Sequence, residues 1–213
     1  MRNNDLISHK YYSSWIFRAV LQLTKPYRIY HRKLIAQEFG TLLIQNRLKG
    51  FSQRTILDVG GPSAALNYLI NNENYRIIAI NIDMYQPSGI SFDYEFVIGS
   101  GTHLPFRNGS ITYVFCDEVI EHISDNKKGL AREIMRVGQG FFLATPNRHF
   151  FLEPHTFIPF LQYLPKNIRK LIFPWIRDVE LLSFRELQAL FPHRVVKGIG
   201  PRAPVAETLI CFG

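Results

Sequence analysis

The chain has 213 residues, 46% of them hydrophobic and 20% charged, which suits one domain with a sizeable core and excludes a disordered or collagen-like chain. Its two cysteines, Cys116 and Cys211, lie far apart in apolar runs, which excludes a disulfide scaffold and makes a reducing compartment the default. The net charge of +8 sits wholly in residues 1–55, where ten basic residues face only Asp5 and Glu38.

No apolar run reaches the ~18 residues of a membrane span. Arg18 interrupts the stretch Trp15 to Leu23, so no signal peptide is expected and the location reads as cytoplasmic. Residues 10–24 and 28–49 read as two helices parted by Lys25-Pro26. In the second, Tyr30, Leu34, Ile35, Glu38, Phe39, Leu42 and Leu43 keep a three-and-four spacing, and Gly50 is a plausible stop.

Residues 54–59 are short, apolar and β-branched, hence a buried strand. Ser63 is expected to cap a following helix that carries Leu66, Leu69 and Ile70 on one face. Arg76 to Ile82, Phe96 to Ile98 and Ile111 to Cys116 read as the next strands, with a turn at Arg107-Asn108-Gly109-Ser110. Lys127 to Val137 is helical, and Gly140 to Ala144 is a fifth strand that ends at Thr145-Pro146-Asn147. Strands alternating with helices predict a doubly wound, mainly parallel sheet. Val195 to Ile199 and Glu207 to Phe212 are joined by a link too short for a helical crossover, so they are expected to form an antiparallel hairpin. Between them and the fifth strand, residues 150–178 mix seven aromatic residues with four prolines, and predict short helices over the top of the sheet.

The first strand ends in Asp58-Val59-Gly60-Gly61-Pro62, the second runs on to Asp83, and the fourth is followed by Asp117-Glu118-Val119-Ile120-Glu121-His122. Acids and glycines at the carboxyl ends of parallel strands build a nucleotide-type pocket. Gly60 and Gly61 would let backbone approach a ligand closely; the alternative is an ordinary strand-to-helix turn. Glu118, Glu121 and His122 would share one face of a helical turn. They are read as lining an acceptor pocket, with His122 or His155 as general base. The alternative is a divalent cation held by Glu118, Glu121 and His122.

Four further motifs, in order and spacing, carry a resemblance. They are Leu104-Pro105-Phe106, Glu118-Val119-Ile120-Glu121-His122, Arg132-Glu133-Ile134-Met135-Arg136-Val137 and Thr145-Pro146-Asn147-Arg148. With them the chain resembles the class I S-adenosylmethionine-dependent methyltransferases, in particular the methyltransferase type 11-like group, over roughly residues 50–213. The resemblance implies a Rossmann-like seven-stranded sheet, mainly parallel, with a C-terminal antiparallel hairpin; the charge and composition of the chain add a basic helical arm at 1–50 and an aromatic lid at 150–182.

It also implies S-adenosylmethionine as cofactor. Asp58, Gly60 and Gly61 would hold its amino acid part, Asp83 with Asn81 its ribose, Ser100, Gly101, Thr102 and Leu104 would flank its adenine, and Asp117 would belong to the same cofactor pocket. Glu118, Glu121, His122 and His155 would face the acceptor, a hydroxyl of a small or lipid-linked molecule. In small-RNA 2′-O-methyltransferases and some ubiquinone-pathway O-methyltransferases, similar clusters bind magnesium. Pro62 and Ala64 stand where such proteins carry glycines, and Asn81, Ser100 and Thr112 stand where they carry acids. These departures sustain a second reading, a non-catalytic binding or scaffold module on the same fold. The basic residues 1–50 and the basic, aromatic segment 160–178 suggest peripheral contact with an anionic membrane; RNA is the rival partner, and with it an RNA methyltransferase. Oligomeric state is not legible.

Overall fold

The structure is a computed structural model, and it describes residues 22–45, 54–69, 75–84, 87, 89–154, 156–172, 179–200 and 205–213. The expected helix at 10–24 falls almost wholly outside these, as does Gly50. Helix α1, Lys25–Gln45, begins three residues before the expected start. Pro26 stands in its first turn, where the missing N–H would have no intrahelical partner anyway. Ile35, Ala36, Phe39, Leu42 and Leu43 are its buried residues, as the spacing requires; Tyr30 lies outside that stripe and is half exposed.

Seven strands follow: β1 (Arg54–Val59), β2 (Tyr75–Asn81), β3 (Glu95–Ile98), β4 (Ile111–Asp117), β5 (Gly138–Pro146), β6 (Val195–Ile199) and β7 (Thr208–Phe212). Helix α2 (Lys127–Val137) precedes β5, short helix α3 (Lys166–Ile172) lies in the aromatic segment, and α4 (Phe184–Leu190) precedes β6. The sheet order is β3-β2-β1-β4-β5-β7-β6, parallel as far as β5, with β7 antiparallel to both β5 and β6. The terminal hairpin therefore forms as expected. The chain winds outward from β1 in both directions, so β1 and β4 flank the switch point where open α/β sheets bind ligands.

Alternation along each strand divides the core between the two faces of the sheet. Leu57, Val59, Ile78, Ile80, Val114 and Cys116 pack with Leu130, Ile134 and Val137 of α2 and with Leu187 of α4. Ile56, Ile77, Tyr113, Phe115, Phe142 and Ile210 pack with Ile35, Phe39, Leu42 and Leu43 of α1. The Phe39 ring centroid lies 5.0 Å from that of Phe115 and 5.3 Å from that of Phe142, which fixes α1 across β4 and β5. Full burial of one such ring is worth about 1.5–3 kcal/mol. The polar end of the same helix is thereby carried to the top of the sheet.

Two expectations are corrected. The helix after Ser63 is only a 3-10 turn, Leu66–Tyr68, with no side-chain cap. Ser63 instead gives its backbone N–H to Asp58 and its hydroxyl to Asp117. Nor do Glu118, Glu121 and His122 share a face. Glu118 takes a positive φ of 55°, and the 3-10 turn Ile120–His122 then buries Glu121 while leaving His122 exposed. Strand β5 is also longer than expected, because α2 runs straight into it at Gly138, where a Cβ would lie 2.7 Å from the Gly140 carbonyl oxygen.

Candidate active site

The carboxyl ends of β1 and β4 meet in a small acidic cluster. Asp58 is 1% exposed and accepts the Ser63 backbone N–H at 2.6 Å. Asp117 accepts the Ser63 hydroxyl at 3.2 Å. Between the two acids the chain turns sharply. Gly60 has φ +82°, and a Cβ there would lie 2.4 Å from Val119 Cγ2. A Cβ on Gly61 would lie 2.3 Å from the Asp58 carboxylate. Asn81, at the end of β2, secures this turn: its amide nitrogen donates to the carbonyls of Gly60 at 2.9 Å and Gly61 at 3.4 Å. Its Oδ1 accepts from the Ile82 N–H, so both ends of the Asn81 side chain engage backbone.

Above this turn lies a cavity of about 560 Å³, within the usual range for ligand pockets. Asp58, Gly60, Pro62, Ser63, Asp117 and Glu118 form its floor. Tyr27, Arg28, His31 and Arg32 enter from the first turns of α1. Pro146 and Asn147 follow β5, Glu207 and Thr208 open β7, and Phe150, Leu152, Pro154 and Phe157 come from the aromatic segment. Tyr27 and Phe157 meet edge to face with centroids 5.5 Å apart, so α1 and the aromatic segment close over the same opening.

Burial governs the electrostatics. It pushes Asp58 up to about 7, against the Ser63 N–H, which favours the charged form. Asp117 is raised well above the carboxylate range, first by burial and then by Glu118, Asp58 and Glu121. Burial alone raises Glu207 to about 7. The His31 imidazole is lowered, chiefly by burial, with Glu118 opposing and Arg32 adding to the shift. Asp58 Oδ1, Asp117 Oδ1 and Glu207 Oε2 are buried and have no hydrogen-bond partner. Such atoms are costly unless a ligand meets them. Two orphaned carboxylate oxygens beside a glycine turn suit a ligand that carries an ammonium group, as the amino acid part of S-adenosylmethionine does.

Of the expected cofactor residues, Asp58, Gly60 and Asp117 line the cavity, and Gly61 lies against Asp58. Asp83 is exposed beyond the end of β2. Ser100, Gly101, Thr102 and Leu104 form a separate turn past β3 that does not line the cavity. In it Ser100 and Thr102 hydroxyls meet at 2.9 Å, and the Leu104 N–H donates to Glu133 at 2.7 Å. Arg136 holds the same loop by donating to the carbonyls of Leu104 and Phe106 and to both oxygens of Glu133.

On the acceptor side Glu118 lines the cavity, whereas neither Glu121 nor His122 does. Glu121 is fully buried and accepts the Thr145 hydroxyl at 3.0 Å. His155 lies outside the described residues, among which no group of three His, Cys, Asp or Glu side chains is placed to hold a metal ion. Sequence reasoning missed Ser63 as a bridge, the polar end of α1, and Glu207. The only signal for Glu207 was a lone acid at the start of an apolar strand.

The switch-point cavity, glycine turn and reversed last strand define a Rossmann-like, class I methyltransferase fold. Residues 57–142 match the family described as "Methyltransferase domain", and that match supports S-adenosylmethionine as the cofactor. Two curated relatives, each an uncharacterized methyltransferase from Mycobacterium sp. (strains KMS and MCS), are 29% identical over 104 residues. The match covers 47% of this chain and 41% of each relative, so the chain spans well under half the length of those proteins. Among solved structures, a Haloferax volcanii putative methyltransferase in complex with the Trm112 methyltransferase activator is similar with TM-score 0.55 at 16% identity, over 92% of this chain and 96% of the other. A SAM-dependent methyltransferase from Aquifex aeolicus gives TM-score 0.53 at 14% identity, over the same 92% and 96%. At such identities the likeness is one of fold.

Proposed function

We propose that the protein transfers a methyl group from S-adenosylmethionine to a hydroxyl of a small or lipid-linked acceptor. The observation that carries this reading is the pair of orphaned buried oxygens on Asp58 and Asp117 above the Gly60-Gly61 turn, at the switch point of the sheet. The cofactor, when bound, supplies an activated methyl on a sulfonium. Asp58, Asp117 and the backbone at Gly60 and Gly61 hold its amino acid part. Asp83, with Asn81 behind it, serves the ribose, and the turn from Ser100 to Leu104 flanks the adenine. Because an activated methyl needs little acid–base assistance, orientation and exclusion of water are the main tasks of the remaining residues. The aromatic segment and the Tyr27–Phe157 contact serve the second task.

Phe160, Tyr163, Leu164, Ile168 and Leu171 are exposed around α3, with Leu171 84% exposed, beside Lys166 and Arg169. An apolar patch with basic neighbours favours a lipid-linked acceptor met at an anionic membrane surface. No helix among the described residues is long and apolar enough to cross a membrane.

Titration calorimetry with S-adenosylmethionine and S-adenosylhomocysteine tests the cofactor reading. Micromolar binding of both is expected; no binding at millimolar ligand favours the non-catalytic module. Sedimentation with phosphatidylserine vesicles, against phosphatidylcholine vesicles and a single-stranded RNA, tests the surface. Retention by RNA alone, weakening steeply with salt, would favour an RNA acceptor.

A further inference from the structure

The cavity continues past the cofactor end of the sheet, and the residues beyond it carry an unassigned site. Glu207 is 8% exposed, lines the cavity, and keeps Oε2 without a partner. Among the described residues no ion pair reaches it. Its neighbour Thr208 meets the imidazole Nε2 of His31 at 2.8 Å, which closes the wall from the α1 side. Gly200, with φ +116°, passes close behind, where a Cβ would sit 3.2 Å from Glu207 Oε2. A buried, unpaired carboxyl destabilises the fold, so its retention in a cavity wall points to a ligand that satisfies it.

Position in the sheet separates this site from the cofactor end. The order β1-β4-β5-β7 puts Glu207 and Thr208 two strands away from Asp117, ~10 Å across the sheet at the usual strand spacing, and the register sets them further along it, beside Asn147 and Pro146 rather than Ala144. That is far enough to hold a second molecule and near enough for it to meet the first. Tyr27, Phe150, Leu152 and Phe157 give the same cavity an apolar and aromatic wall, with Arg28 and Arg32 entering beside Tyr27.

We propose that Glu207, flanked by the His31–Thr208 pair, anchors the methyl acceptor by taking a hydrogen bond from a hydroxyl or amine on an otherwise apolar molecule, whose body lies against Tyr27, Phe150, Leu152 and Phe157. This rests on the methyltransferase reading for the identity of the second molecule. At Glu207 itself a ligand carboxylate meets a like charge, whereas a hydroxyl or amine finds an acceptor.

Ligand-observed NMR on the full chain, with and without S-adenosylhomocysteine, tests it with four probes of one shape: benzyl alcohol, benzylamine, toluene and benzoate. Benzyl alcohol, benzylamine or both are expected to bind about tenfold more tightly than toluene and benzoate. The alcohol and amine arms tell which donor the site prefers. Glu207→Leu removes the acceptor atoms at similar volume. It is expected to bring the alcohol and amine within about twofold of toluene while leaving S-adenosylhomocysteine affinity unchanged, and to raise the melting temperature above pH 7. Four results overturn the proposal: no probe binding to the wild-type chain, benzoate binding as well as the alcohol, a donor preference that survives Glu207→Leu, or an unchanged or lowered melting temperature. Failure of S-adenosylhomocysteine itself to bind would instead overturn the cofactor reading.

Discussion

The imidazole of His31 and the hydroxyl of Thr208 meet at 2.8 Å, although 177 positions separate them in the sequence. This contact joins the first turns of α1 to the head of β7 and closes one side of the cavity. Thr208→Val is expected to lower stability by about 1 kcal/mol, the net worth of one such bond. The histidine also gives the contact a pH dependence. Its imidazole is held below the ordinary 6.5, mainly by burial. The unfolded chain therefore takes up the proton first, and stability falls as pH drops below about 6.5. Thermal melts between pH 7.5 and 5.5 should show a smaller loss in His31→Ala than in the wild-type chain. Parallel curves would mean that His31 titrates alike in both states.

Asp58 has the opposite sign. Its carboxyl is raised from 3.8 to about 7, so the folded chain holds the proton more tightly than the unfolded one. Its contribution to stability is full below about 3.8 and is lost as pH rises toward 7. The shift corresponds to about 4 kcal/mol at most. Asp58→Asn is expected to flatten the fall in melting temperature between pH 5 and 8. A cationic ligand should return Asp58 to its charged form, so binding of S-adenosylhomocysteine near pH 6.5 should release a proton. Calorimetry in two buffers of different ionisation enthalpy measures that release; buffer-independent heats would place the ammonium elsewhere. Asp58→Ala should abolish binding while the chain stays folded.

Gly61 tests the turn itself. Alanine there would bring a Cβ within 2.3 Å of the Asp58 carboxylate, which is 1% exposed and held by the Ser63 N–H. Gly61→Ala is expected to cost about 1–3 kcal/mol in denaturant melts, as overpacking does. Affinity for S-adenosylhomocysteine should fall more than tenfold because Asp58 is displaced. Unchanged affinity would detach the turn from cofactor binding.

The sheet was legible because each strand is a short apolar run with an abrupt polar end. The spans at 54–59 and 195–199 agree to the residue, and the short link before Glu207 to Phe212 correctly implied a hairpin. Helix α2 was equally plain, since Leu130, Ile134 and Val137 recur at helical spacing. The site was less legible, because its polar atoms are brought together by tertiary contact. Ser63 has the chemistry of a helix cap and the position for one, but two buried carboxylates compete for it and prevail. Glu118, Glu121 and His122 look like one face only if the turn is regular, and the positive φ at Glu118 undoes that. His31 and Arg28 carry no local mark; only the packing of Phe39 against Phe115 and Phe142 places them above β4 and β5.

Arg136 is expected to act at a distance from the cavity. Its guanidinium donates to the carbonyls of Leu104 and Phe106 and to Glu133, which in turn accepts the Leu104 N–H. Arg136→Met should therefore loosen the loop from Leu104 to Asn108, seen as faster hydrogen exchange at the Leu104 amide. If that loop flanks the adenine, affinity for S-adenosylhomocysteine should fall several-fold, while adenine-free ligands such as methionine lose little. Equal losses for both would indicate a general weakening of the fold.

Strand β7 lies between β5 and β6, although translation delivers it after both. Until residue 208 emerges from the ribosome, β5 presents a bare edge of unpaired backbone, and β6 has no neighbour to join. A nascent chain in that condition offers a template for pairing with other chains. Pairing β7 with β5 joins distant parts of the chain, a long-range and therefore slow step. The same pairing brings Glu207 and Thr208 to the cavity, so covering the β5 edge and completing the cavity wall are one event.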